Sequence, residues 1–243
     1  GRPPVKVGAP VTDITAGILG AMGCAAAYAH RLKTGQGQKV DTSLFEAGIT
    51  HTYWQSAIAF ATGVSPGPMG SAHPLNAPYQ AFRTADGWIN IGAANQANWL
   101  RLLKLIDAEQ LADDPRFREN ANRMAHLEAL ESELNAVFET RVTEEWLTLL
   151  EKGGFPAGPV LSVGQMHEDP QAMARDMIVE TDHDTAGSVK TIGLPVKFSE
   201  TPGGVRGPAP RLGGQSREIL AEAGFSADEI DMMIADGSVS TAS

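Results

Sequence analysis

Apolar and polar positions change period several times along the chain, and each change predicts an element. Residues from Ile14 to Ala29 are almost uniformly apolar or small. That pattern predicts a buried helix inside a packed layer. Ala16, Gly17, Gly20, Ala21, Gly23 and Ala25 to Ala27 let neighbouring elements approach its backbone. Thr12 or Asp13 can cap its start. Its end is expected near Leu32-Lys33, where cations meet the negative helix terminus and Gly35 suits a left-handed cap.

The weak alternation of Gln38 to Leu44 predicts a strand, and the apolar run Phe45 to Ala61 a second long helix. Thr62 to Pro78 is rich in glycine and proline, the composition of a linker or mobile loop. Tyr79 to Phe82 and Trp88 to Ile91, separated by Thr84-Ala85-Asp86-Gly87, predict a hairpin. Helical spacing returns at Asn95–Ile106, Met124–Thr140 and Thr143–Lys152. Gly153 to Val163 is an interrupted apolar segment. Asp169-Pro170 predicts a helix start, with the helix running to about Met177. Met177–Asp182 and Val189–Ile192 predict strands, Ser216–Ala223 a helix, and Ser226 with Glu229 a capping box opening the last helix.

Composition narrows the classes. The chain has 243 residues, 42% hydrophobic and 20% charged, the balance of a folded globular protein. Its net charge of −10 gives nucleic-acid phosphates no general reason to bind. Cys24 is the single cysteine, so no intrachain disulfide or paired-cysteine motif exists, which points to a reducing, cytoplasmic setting. The Ile14–Ala29 stretch falls short of the roughly 20 strongly apolar residues of a membrane span, so no membrane association is expected. The start Gly1-Arg2-Pro3-Pro4 reads as the interior of a longer protein.

Local motifs exclude more than they identify. There is no phosphate-binding Gly-x-x-x-x-Gly-Lys loop, no Gly-x-Ser-x-Gly elbow and no His-Glu-x-x-His. Gly35 and Gly37 follow a helix, not a strand, so they read as a turn and not as a dinucleotide fingerprint. No two of the six histidines stand four apart, and none has a thiolate companion, so no metal site is expected. His73 differs in sitting within the Gly70-Ser71-Ala72-His73-Pro74 loop. Asp13, at a helix entrance among small residues, supports two readings. One is a cap worth about 1 kcal/mol; the other is a carboxylate nucleophile at a crowded site.

Longer segments carry a resemblance. Lys6 to Gly17, then Arg31-Leu32-Lys33-Thr34-Gly35-Gln36-Gly37-Gln38-Lys39-Val40-Asp41-Thr42-Ser43-Leu44-Phe45-Glu46, are similar to the family III CoA-transferases. That family includes formyl-CoA and carnitine CoA-transferases and α-methylacyl-CoA racemases. His73-Pro74 through Pro78-Tyr79-Gln80-Ala81-Phe82, Phe155-Pro156-Ala157-Gly158-Pro159-Val160, and Pro195-Val196-Lys197-Phe198-Ser199 with Ala209-Pro210-Arg211-Leu212-Gly213 agree with it in the same order.

The resemblance implies an α/β fold. An incomplete Rossmann-like large domain is expected over residues 1–65 and again over 183–243. A linker and small α+β domain are expected over 66–182. Two such chains would interlock as a homodimer. The resemblance implies CoA transfer from an acyl-CoA thioester to a carboxylic acid. Asp13 is the implied nucleophile, passing through an acyl anhydride and an aspartyl-CoA thioester, with no metal or permanently bound cofactor.

A glycine-rich loop covers the intermediate in the family, which makes Gly67, Gly70, Ser71 and His73 candidates for a substrate loop. Here that loop, Gly67-Pro68-Met69-Gly70, lacks consecutive glycines, and a plain interdomain linker is the other reading. Two alternative functions are α-methylacyl-CoA racemisation and a module that only folds or assembles. Ser43-Leu44-Phe45-Glu46 favours the transferase. A chain lacking part of the large domain is expected to expose apolar surface and to aggregate.

Overall fold

The computed structural model describes residues 5–242. It divides into two compact units, Gly1–Val160 and Leu161–Ser243.

The first unit opens with helix α1 (Val11–Thr34), which ends as the sequence predicts. Gly35 adopts φ 74°, its N–H bonds to Arg31 O, and Arg31 and Lys33 lie in the last turn. Its start differs. Pro10 stands before the first helical residue without a side-chain cap, so Thr12 and Asp13 are both inside the helix. The capping reading of Asp13 is thereby corrected. The expectation of a buried helix is also not met within this chain, because α1 has no buried residue. Nor does the stretch fall short in length: α1 has 24 residues and a best-window mean hydropathy of 1.3, long and apolar enough to cross a membrane by those two measures alone.

No strand forms over residues 38–43. A strand needs a neighbour to take its backbone hydrogen bonds, and none pairs with this segment among the described residues. The segment runs instead along α1. A Cβ built on Gly23 would stand 2.7 Å from Val40 Cγ1, which is the close approach the small residues were expected to allow. The second long helix is two helices, α2 (Leu44–Thr50) and α3 (Tyr53–Thr62). At the break, the Thr50 and Thr52 hydroxyls donate to Ala47 O (2.6 Å) and Ile49 O (2.7 Å), local bonds that compete with helix continuation.

The hairpin forms as predicted from β1 (Tyr79–Arg83) and β2 (Trp88–Gly92), with Phe82 opposite Ile89 and Gln80 opposite Ile91. A third antiparallel strand, β3 (Ala157–Pro159), pairs with β2. Helices α4 (Gln96–Leu105), α5 (Asn120–Ala125), α6 (Leu127–Phe138) and α7 (Thr143–Lys152) surround this sheet. The expected Met124–Thr140 helix is broken at His126, which leaves helical geometry at φ −124° and ψ 38°. Alternate residues Phe82, Ile89 and Ile91 of the sheet pack with Trp99, Leu102, Leu130, Leu134, Phe138, Trp146 and Leu150 of the helices into one buried core. The hairpin turn also serves α7. Asp86 accepts from the Thr143 N–H and hydroxyl, both at 2.8 Å, capping a helix that no residue of its own caps.

The second unit begins with α8 (Val163–Glu168), a helix the apolar pattern does not predict, opened by a Ser162–Gln165 capping box. The helix expected from Asp169 is α9 (Pro170–Ala174), capped by Asp169 and shorter than expected, ending where Asp176 turns to φ 50°. Strands β4 (Ile178–His183) and β5 (Gly187–Ile192) form an antiparallel pair. Helices α10 (Ser216–Glu222) and α11 (Ala227–Ala235) follow, the latter with the predicted Ser226–Glu229 box.

Candidate functional site

Asp13 lies in the first turn of α1 and is exposed. Free N–H groups at a helix start make this a favourable place for negative charge. One carboxylate oxygen accepts from the Thr12 hydroxyl at 3.1 Å, leaving the group otherwise open. Helix α2 packs beside this turn, with Gly48 facing it: a Cβ there would sit 3.5 Å from Thr12 Cγ2, an ordinary contact distance. Ser43 starts α2, accepting the Glu46 N–H at 3.2 Å and donating to the Glu46 carboxylate at 2.8 Å. Part of the Ser43-to-Glu46 motif is therefore a helix start.

Two side chains continue the path away from Asp13. His51, at the end of α2, shares a 2.8 Å hydrogen bond between its Nε2 and the Thr15 hydroxyl. Three residues on, Trp54 of α3 meets the His73 ring edge-on, with centroids 4.4 Å apart. The opposite partner of His73 is Tyr79, stacked at 5.0 Å and 8°. The His73 N–H bonds to Tyr79 O at 2.9 Å, and its ring Nδ1 accepts the Leu75 N–H at 3.1 Å. Burial between the aromatic rings pushes the imidazole below its usual range.

The other loop candidates separate by role. Ser71 accepts the Ala81 N–H at 3.2 Å, tying the loop to β1. Gly70 takes φ 67°, a left-handed turn position. Gly67 has nothing within 4 Å of a built Cβ. Thus Ser71 and His73 are anchored on one strand, and His73 connects through Trp54 to the helices beside Asp13. No contact brings Gly67 or Gly70 to Asp13.

Residues missed in the sequence hold this loop from below. Asn120 accepts the Ala77 N–H at 3.0 Å and donates to Leu75 O at 2.8 Å. Arg123, fully buried, donates to Ala77 O at 2.6 Å, to Phe117 O at 2.9 Å and to Gln96 Oε1 at 3.0 Å, with its guanidinium 5.0 Å from the Trp99 ring centre. Burial lowers its pKa to about 10, so it remains charged at neutral pH. The contacts to Leu75 and Ala77 span 43 to 46 residues, a separation that left no local signal for them. His51 and Trp54 were equally hidden, since nothing in their spacing points to Thr15 or His73.

Among the described residues no cluster of three histidine, cysteine or acidic side chains is arranged to hold a metal. A cavity of about 800 Å³ belongs to the second unit, lined by Val163, His167, Met173, Ile178 and Ile192 among others. It contains none of the sequence-predicted site residues.

The order of these segments has counterparts in known proteins. The family model described as CoA-transferase family III matches residues 1–216. The chain is 36% identical over 237 residues to an acyl-CoA transferase of Fusarium pseudograminearum, covering 97% of this chain and 52% of that protein. It is 35% identical over 226 residues to the succinyl-CoA:mesaconate CoA-transferase of Haloarcula marismortui, covering 91% and 56%. Among solved structures it resembles a CaiB/BaiF family protein from Brucella suis, with TM-score 0.77 and 32% identity over 91% of this chain and 57% of that one. The chain therefore spans about half the length of the curated relatives it matches. A match running from the first residue through the start of α10, with the Asp13 turn and the His73 loop inside it, makes this chain a member of CoA-transferase family III.

Proposed function

We propose that the complete polypeptide transfers CoA from an acyl-CoA thioester to a carboxylic acid, with Asp13 as nucleophile. The observation that carries this reading is an open carboxylate in the first turn of α1, within a chain of this family. An Asp13 oxygen attacks the thioester carbonyl, and the C–S bond breaks to release CoA thiolate and leave an acyl anhydride. The thiolate then attacks the aspartyl carbonyl, expelling the first acid as its carboxylate and forming an aspartyl-CoA thioester. The acceptor carboxylate attacks that thioester and releases the thiolate again. The thiolate finally takes the new acyl group and frees Asp13.

No net proton or electron is required, and the sequence divides one difficult exchange into steps between species of similar reactivity. Acyl-CoA is a substrate here, and no resident cofactor enters the scheme. Backbone N–H groups near Gly67, Gly70 and Ser71 are the proposed donors to the tetrahedral oxyanions, each worth roughly 2.7–4 kcal/mol when aligned.

The name of the Haloarcula relative supports dicarboxylic acids such as succinate and mesaconate as the substrate class. Residues 1–65 and 183–243 are proposed to belong to one large domain, with 66–182 forming the linker and small domain. The working form is proposed to be a cytoplasmic homodimer without nucleic-acid or membrane partners. The direct test is trapping: the complete polypeptide is incubated with succinyl-CoA, quenched with hydroxylamine or borohydride, and its peptides weighed. The reading requires modification at Asp13; modification elsewhere refutes it.

A further inference from the structure

The His73 ring is held on three sides. Tyr79 covers one face, Trp54 abuts it edge-on, and the Leu75 N–H occupies Nδ1. A backbone N–H can only donate, so Nδ1 must be the unprotonated nitrogen and the ring proton sits on Nε2. Protonating Nδ1 would set two N–H groups against each other, and burial between the aromatic rings opposes the imidazolium in the same direction. His73 is thus a neutral ring presenting one N–H donor. No side chain or carbonyl among the described residues takes that proton.

The loop beneath is equally fixed. Asn120 and Arg123 hold Leu75 and Ala77, while His73 N and Ser71 Oγ fasten the loop to β1. A donor pinned this way cannot swing to shuttle protons; it can hold an acceptor in one place. Donation to an attacking carboxylate oxygen would reduce its nucleophilicity, so the useful partner is a carboxylate that does not react.

Resting on the transfer reading above, we propose that His73 is a specificity-determining residue. Its Nε2–H holds the non-reacting carboxylate of a dicarboxylic acid, with Trp54 and Tyr79 as the adjoining aromatic walls.

The test uses the complete polypeptide with succinyl-CoA as donor and two acceptors, mesaconate and the monocarboxylate crotonate. His73→Asn keeps an acceptor for the Leu75 N–H and removes the outward donor; His73→Gln restores a donor near Nε2. The expected result for His73→Asn is a mesaconate KM raised about 10- to 100-fold, the range of a lost hydrogen bond to a charged group. Its kcat and the crotonate KM stay close to wild type, and His73→Gln recovers most of the loss. A mesaconate-to-crotonate preference unchanged in His73→Asn overturns the proposal, as does a wild type that uses crotonate as well as mesaconate. In ring-15N-histidine spectra, the proposal requires the Nε2–H tautomer of His73 and a shift of that nitrogen on titrating mesaconate. A protonated Nδ1, or no shift, overturns it even where transfer is intact. Absence of any transfer to any acid by wild type instead sinks the underlying functional reading, and this proposal with it.

Discussion

The helices α1 to α3 and the α+β region that follows them are built from comparably apolar sequence, yet they use it in opposite ways. Between Ala77 and Phe155 the chain closes a continuous core in which Trp99, Phe117, Leu134 and Phe138 are fully inaccessible. In α1 to α3 Ala47 alone is buried, while Leu32 is 71% and Phe60 88% exposed. Ile14, Ile18 and Met22 follow at four-residue steps and form a stripe on α1 that is more than half exposed at each position. Apolar periodicity therefore states that a face belongs against something without stating what. The exposed region also carries the carboxylate on which the proposed chemistry depends, and the packed region holds the loop that presents His73. In the proposed mechanism the nucleophile and the main apolar core therefore come from different parts of the first unit.

That contrast can be broken by experiment. The largest effect is expected at Asp13: Asp13→Asn should lower transfer by the complete polypeptide roughly 10⁴-fold or more, the scale of losing a nucleophile. Its denaturation midpoint should stay near wild type. Retained activity, or a large stability loss, would place Asp13 in the structural class instead.

Next in size is the core. Leu134→Ala, at a fully buried site, should cost about 2–5 kcal/mol in urea denaturation followed by tryptophan fluorescence. Ile18→Ala on α1 in the same 243-residue chain should stay within about 0.5 kcal/mol. Equal costs would show that α1 is packed in solution.

A smaller loss, about 1–3 kcal/mol, is expected for Gly153→Ala. A Cβ there would stand 2.5 Å from both terminal methyls of Leu105, so the core edge would have to shift.

Association of the 243-residue chain sharpens the comparison from the other side. The open stripe predicts concentration-dependent self-association in sedimentation velocity, reduced by the double change Ile18→Glu with Met22→Glu. A monodisperse monomer would remove the stripe as an adhesive surface.

The mildest expected effect concerns pH. The Thr143 N–H and hydroxyl hold the Asp86 carboxyl below its ordinary value of 3.8. A depressed folded-state pKa means that the unfolded chain binds more protons in acid. The bond's stabilisation is therefore complete above about pH 4 and lost as pH falls through the folded value. Asp86→Asn should flatten that acid limb by lowering stability near neutrality while leaving it almost unchanged at the acid end, as read from denaturation midpoints between pH 2 and 7. An unchanged acid limb would show that Asp86 does not cap α7 in solution.

Much of the secondary structure was legible because its causes are local. The Gly35 cap, the β1–β2 hairpin and the Ser226–Glu229 box each depend on residues a few positions apart. The misses have longer causes. The 38–43 segment alternates like a strand but has no ladder to join, and the helix from Phe45 breaks where threonine hydroxyls take its carbonyls. Asp13 stood out in the sequence, first by its helix-entrance setting and then through the family pattern. The clasp of Asn120 and Arg123 on the His73 loop, and the Thr15–His51 and Trp54–His73 contacts, left no trace in any window of the chain.

By itself the sequence determined the Gly35 helix end, the β1–β2 hairpin and the Ser226–Glu229 helix start, because those depend on backbone hydrogen bonds and dihedral preferences within one or two turns. It also determined family membership, because the order of many short segments survives when each alone is uninformative. Only the tertiary structure decided which apolar faces close into a core, which residues clasp the His73 loop and which aromatic side chain abuts its ring. Those outcomes depend on groups tens of residues apart meeting within a few ångströms, a distance that linear order does not encode.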